Sequence, residues 1–142
     1  MLSFREMRRR SHPVGFDCHH LVPVAVIERR SLAITFGKLR SGGFEPQDFI
    51  TNGMHLPNQD GLALIFNLPL HRGPHRQYND MVAERIAGLE RLPTREMLFQ
   101  VHGLQRALRS GLRGRCKQWV LGKRDPLRPA VDFRRLDLEV EL

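Results

Sequence analysis

The apolar positions of this 142-residue chain change their period several times between the two ends. Residues 16–23, FDCHHLVP, read as a short strand broken by Pro23, because proline lacks the N–H that a ladder needs. From Val24 to Leu39 the apolar residues Val24, Ile27, Ala33, Phe36 and Leu39 return at roughly helical spacing, and Ser41-Gly42-Gly43 stops that helix. Phe44 to Ile50 reads as a connector, and Thr51 to Pro57 as a turn followed by a short strand. Asn58 to Gly61 reads as a loop, followed by the apolar run LALIFNLPL and then HRGPH. Pro74 suits the first turn of a helix, where its missing N–H costs nothing. Tyr78, Met81, Val82, Ile86 and Leu89 continue as an apolar stripe, which predicts a helix from about Pro74 to Leu92. Pro93-Thr94 opens a second amphipathic helix with Met97, Leu98, Val101, Leu104 and Leu108, weakened at Gly103. The tail LDLEVEL alternates apolar and acidic residues as an edge strand does.

This pattern predicts a small, mainly helical α+β domain. It divides into a basic lead-in over 1–15 with a turn at Pro13 and Gly15, a core over 16–92, and a basic helical extension over 93–142 that ends in the candidate edge strand. A hydrophobic fraction of 41% excludes a disordered chain. The formal charge of +8 points to a polyanionic partner, most simply nucleic acid, although ribosomal and membrane-surface proteins share such a balance. Between Val101 and Arg124 there are seven Lys and Arg residues and no acid. That makes Arg113, Arg115 and Lys117 candidates for tracking phosphates, with Trp119 either stacking on a base or packing in the core. Cys18 and Cys116 form no CxxC and read as two reduced thiols of a cytoplasmic protein, a single bridge being the alternative. The basic N-terminus is not followed by an apolar run, so neither a signal peptide nor a membrane span is expected; export would need a specialised secretion system or a carrier chain.

Histidine changes the picture most. Five of the seven, His19, His20, His55, His71 and His75, fall within residues 19–75. Histidine is the commonest protein metal ligand and is suited to general-base work near neutral pH. His71 and His75 are four apart at a helix entrance and can face one way. His19 and His20 are strand neighbours, which face opposite ways unless the strand bends. An imidazole-rich shell suits Zn, Ni, Co or Mn better than Mg, with Mg tolerated where water and phosphate complete the shell. Arg72 and Arg76 flank the second pair and are candidates for direct phosphate contacts. The bland alternatives are a solvated histidine pair, and a structural zinc site closed by His19, His71, His75 and Cys18. His55 reads as exposed beside the site, and His12 and His102 as solvated.

The segments CHHLVP at 18–23, NGMHLP at 52–57 and LHRGPHRQY at 70–78 together resemble the AHH nucleases, a branch of the HNH or His-Me finger superfamily often found as bacterial toxin domains. The resemblance spans roughly residues 14–90; Cys18 stands where that family has alanine. It implies a ββα-metal core in which His19 is a metal ligand, His20 the general base, and Asn52 the residue that ties the site together. His71 and His75 would be the helix-side histidines, His75 the surer ligand, and Tyr78 a support or a phosphate contact.

The expectation is therefore a hydrolase acting on ester bonds: an endonuclease cutting DNA, or RNA, with one divalent metal (Mg, Mn, Ni or Zn) and a histidine base. If the protein is a toxin effector, an acidic immunity protein is implied as a partner. The alternatives are a nucleic-acid-binding protein without catalysis and a structural zinc domain.

Overall fold

A computed structural model of the chain describes residues 1–72, 75–115 and 121–122. Helices dominate. Helix α1 spans Phe4–Arg10, strand β1 Phe16–His20, α2 Val24–Ile27 and α3 Ala33–Ser41, with a short 3-10 turn at Arg30–Leu32 between the last two. Helix α4 spans Phe49–Asn52, β2 Gly53–Pro57, α5 Asp60–Phe66 and β3 His71–Arg72. Helices α6, Arg76–Ala87, and α7, Thr94–Ser110, follow, then a π-type turn at Gly111–Arg115 and strand β4, Leu121–Gly122.

Strands β1 and β2 form an antiparallel ribbon with Phe16 opposite Pro57, His19 opposite Met54 and His20 opposite Gly53. Cross-strand partners share a face. Met54 and Leu56 are buried with His19 on one face, where the main core lies. That core also takes Leu21, Val22 and Val26, the α6 residues Tyr78, Val82 and Ile86, and the α7 residues Met97, Val101, Leu104 and Leu108. Ribbon and α6 together make the ββα arrangement, and α7 closes the core as an integral part of it. The other face of the ribbon carries Cys18, which packs with Phe4 and Phe49 in a smaller cluster.

Several elements differ from the sequence expectation. The lead-in holds a helix, α1, begun by a capping box in which Glu6 N–H donates to Ser3 Oγ and Ser3 N–H to Glu6 Oε2. The Ser3-x-x-Glu6 spacing is its sequence signature. The stretch from Val24 to Leu39 is two helices and a 3-10 turn, not one helix. Asn52 ends a helix instead of sitting in a turn, and Gly53 is extended (φ −125°, ψ 157°). Helix α5 begins at Asp60, inside the expected loop at 58–61, runs into the apolar stretch, and is capped by Asn67 in the left-handed region at φ 52°. Helix α6 begins at Arg76 and ends at Ala87, shorter at both ends than Pro74–Leu92. The tail at 136–142, Pro74, Cys116, Lys117 and Trp119 lie outside the described residues, as do the side chains of Arg72 and Arg115.

Candidate metal centre

Three elements deliver one histidine each. His19 comes from β1, His71 from β3, and His75 from the N-cap position of α6. One ring nitrogen of each lies within 4.8 Å of the others, a separation at which a single cation can bridge all three. The rings meet edge to face, with centroids 5.2 Å apart for His19 and His71 and 5.8 Å for His19 and His75.

Two observations favour a cation at this point. His19 Nε2 and His75 Nδ1 are buried and have no hydrogen-bond partner among the described residues. A buried orphan nitrogen is costly unless something donates to or coordinates it. The imidazoles are also held neutral, as ligands must be. Burial depresses the His19 pKa well below its usual value, and the neighbouring His71, His75 and His20 add to this. Burial, then the proximity of His71, brings His75 down to about 4. Burial lowers His71 as well, opposed by Asp17.

Asp17 is a part of the site that the sequence reading missed. It lies two residues before His19 and therefore on the same face of β1. Its Oδ2 is 3.4 Å from His71 Nδ1, and its Oδ1 accepts from Asn58 Nδ2 at 3.1 Å. A carboxylate behind a ligating imidazole fixes the ring and raises its basicity. The i, i+2 spacing in Asp17-Cys18-His19 was the available signal.

Asn52 is fully buried and fastens the chain immediately after the His19-His20 pair. Its Oδ1 accepts from Val22 N–H at 2.8 Å and from Gln105 Nε2 at 3.0 Å. Its Nδ2 donates to the carbonyls of Val22, at 3.2 Å, and Pro46, at 2.9 Å. Gln105 was also missed: it is a lone polar residue within the apolar stripe of α7, and it is buried. Its Oε1 is 2.9 Å from His102 Nδ1, so His102 is engaged with Gln105 and not simply solvated.

Tyr78 is 1% exposed. Its hydroxyl donates to Leu21 O at 2.7 Å, and its ring meets His19 edge to face. It packs against the site and, buried this way, does not offer a phosphate the contact expected from the sequence.

The strand at His19-His20 is not bent enough to bring both to one face. His20 stays in register with Gly53 and lies outside the trio. Its ring stacks on Phe4 of α1, with centroids 3.6 Å apart and planes 4° apart. The side chain of Gln47 lies close enough to favour its protonated form slightly, while Nε2 is buried and has no partner among the described residues. Burial first, then the charge of Arg8, brings its pKa down to about 4, and His71 is close enough to contribute. His55 also belongs to this second face, half-buried against Phe49, and is not beside the trio. Cys18 is buried there too, so it cannot close a four-ligand zinc site with His19, His71 and His75. Arg76, one residue past His75, and Arg113 are exposed.

A sequence model described as a nuclease family of the HNH/ENDO VII superfamily with conserved AHH matches residues 3–106. The chain belongs to the AHH family. Residues 18–20 of this AHH nuclease read Cys-His-His, so the alanine of the family motif is replaced by a thiol that packs against Phe4 and Phe49. The matched span includes α1 and most of α7, the two elements that hold His20 and Asn52. Neither a curated protein nor a solved structure matches the chain. No helix among the described residues is long and apolar enough to cross a membrane.

Proposed function

We propose that this AHH nuclease is a metal-dependent endonuclease that hydrolyses phosphodiester bonds in DNA, with His19, His71 and His75 holding one divalent cation and His20 acting as general base. The observation that carries this reading is the convergence of His19, His71 and His75, one ring nitrogen of each within 4.8 Å of the others, in a cluster where His19 and His75 each also have a buried, unpartnered ring nitrogen. Such a cation, when bound, offsets the charge that develops on the phosphate and leaving oxygen. Three protein ligands leave coordination positions for water and substrate.

The chain's own residues supply the rest. His20 is neutral at pH 7, so its unpartnered Nε2 has a lone pair to take a proton from an attacking water. The stacked Phe4 ring fixes the plane of that imidazole. Asp17 orients His71, and Asn52 holds the backbone that follows both strand histidines. Exposed Arg76, with Arg72, is placed in sequence to meet phosphate oxygens beside the centre. Zn, Ni or Mn suits three imidazoles best, Mg being the harder fit. Little in the chain resembles a base-reading element, so cutting is expected to show little sequence preference. In a toxin role, the charge of +8 would call for an acidic immunity partner.

Nicking of supercoiled plasmid with Mg, Mn, Ni or Zn added tests the proposal. His20→Ala is expected to abolish cutting while retaining metal binding, and His75→Ala to weaken metal binding itself. Folded wild-type protein that cuts neither DNA nor RNA with any of these metals would overturn it.

A further inference from the structure

A second feature lies at the other end of α7 from its Pro93 start. Arg106, Arg109, Ser110 and Arg113 line a cavity of about 300 Å³. The three arginines recur at helical spacing and so share one side of the chain. Among the described residues no acid lines the cavity. Arg106 and Arg113 are exposed and have no ion-pair partner among the described residues. Guanidiniums gathered on one side of a helix repel one another, a cost that a bound anion would offset.

Arg109 ties this cavity to the proposed catalytic ribbon. Its Nη2 donates to the carbonyls of Ile50 at 2.8 Å, Thr51 at 3.3 Å and Gly53 at 3.0 Å. Those carbonyls belong to the end of α4 and the first residue of β2. Gly53 is the ribbon partner of His20, one strand spacing (about 4.8 Å) away. Through Arg109 the cavity adjoins the ribbon end that carries Gly53 and, across the strand pair, His20. Burial, then the charge of Arg113, lowers the Arg109 pKa, as expected of guanidiniums that feel each other.

We propose that the Arg106–Arg109–Arg113 groove is a phosphate subsite, separate from the histidine trio, that grips the nucleic-acid backbone at a phosphate flanking the one presented to His20. Guanidinium forks match the non-bridging oxygens of a phosphodiester, and an uncompensated trio supplies the counter-charge for one or two of them. The role of the flanking phosphate rests on the nuclease reading above; the binding of the backbone does not.

The test uses the full chain in excess chelator, so that no turnover intrudes. Binding of a short fluorescent DNA duplex is followed by anisotropy over a series of salt concentrations. Arg106→Ala/Arg113→Ala is expected to weaken binding about tenfold at low salt and to reduce the slope of log affinity against log salt by about 2, roughly one for each phosphate no longer neutralised. The charge-matched control is Arg40→Ala/Arg91→Ala. Those residues lie by the N-terminal end of α7, where Lys38 reaches Glu90 O, roughly 20 Å from the groove along a helix rising about 1.5 Å per residue. The control is expected to leave the slope nearly unchanged. Arg106→Gln/Arg113→Gln serves if the alanine pair melts early. A slope unchanged by the groove variants, an equal weakening by the control, or no duplex binding by wild type would overturn the subsite. Binding with the expected slope change, but no cutting when metal is restored, keeps the subsite and removes the nuclease reading.

Discussion

Asn52→Ala is the perturbation with the most predictable cost. The side chain makes four hydrogen bonds, to Val22 N–H, Val22 O, Pro46 O and Gln105 Nε2, in a position with no solvent exposure. A buried hydrogen bond contributes about 1 kcal/mol net, so four give about 4 kcal/mol. Loss of the acceptor for Val22 N–H also leaves a buried donor unpaired, which adds to the cost. A domain of this size has roughly 5–15 kcal/mol in total. The expected fall in melting temperature is about 10–20 °C, followed by circular dichroism on metal-free protein. Gln105→Leu removes one of the four bonds and one from His102, and should fall by only about a third as much. A fall of less than about 3 °C for Asn52→Ala would refute the reasoning, since it would mean that Val22 N–H finds another partner.

Three further outcomes follow from the same geometry. Asp17→Ala should weaken binding of Zn or Ni by about 10- to 100-fold in calorimetry without removing a ligand, because His71 loses the carboxylate that orients it; unchanged affinity would show that Asp17 is a bystander. Gly53→Ala should be poorly folded, because its Cβ would lie 2.7 Å from Phe49 O; wild-type yield and melting temperature would contradict this. For the metal-free protein, His20 and His75 have folded pKa values of about 4 against 6.5 for the free side chain. The unfolded chain therefore binds more protons across that window, so stability is expected to fall as pH drops from about 6.5 towards 4. Melting temperatures that stay level across that range would contradict the burial of these rings.

The sequence made the chemistry more legible than the architecture. Histidine spacing paired His71 with His75, and the family resemblance added His19, because metal chemistry restricts residue type strongly. Strand alternation was also legible in principle: it predicts that His19 and His20 part company, and they do. Helix α1 was hidden because its four arginines gave the segment a polar look, while its single deeply buried residue, Phe4, is easy to miss without Ser3 and Glu6 read as a cap. Helix α5 was hidden for the opposite reason. Its apolar residues Leu64, Ile65 and Phe66 are exposed, so periodicity had no buried face to report. Gln105 and Asp17 act through other side chains, and only a partner's position reveals such a role.

Alternation along β1 also explains why an adjacent histidine pair is useful. A nuclease that needs a metal and a proton acceptor must keep the acceptor out of the coordination sphere, or the cation will capture it. In the proposed mechanism, two successive strand positions would achieve this with no loop at all. His19 points to the core face, where Tyr78 packs on it and His71 and His75 complete the trio. His20 points to the face covered by α1, where Phe4 holds its ring flat. Asn52 lies across the point where the pair ends, bonded to Val22 on one side and to α7 through Gln105 on the other. Any slip of β1 by one residue would exchange the two faces and put His20 in the trio. The buried face of the ribbon resists that slip, and the Asn52 bonds to Val22, set just beyond the strand end, add to that resistance.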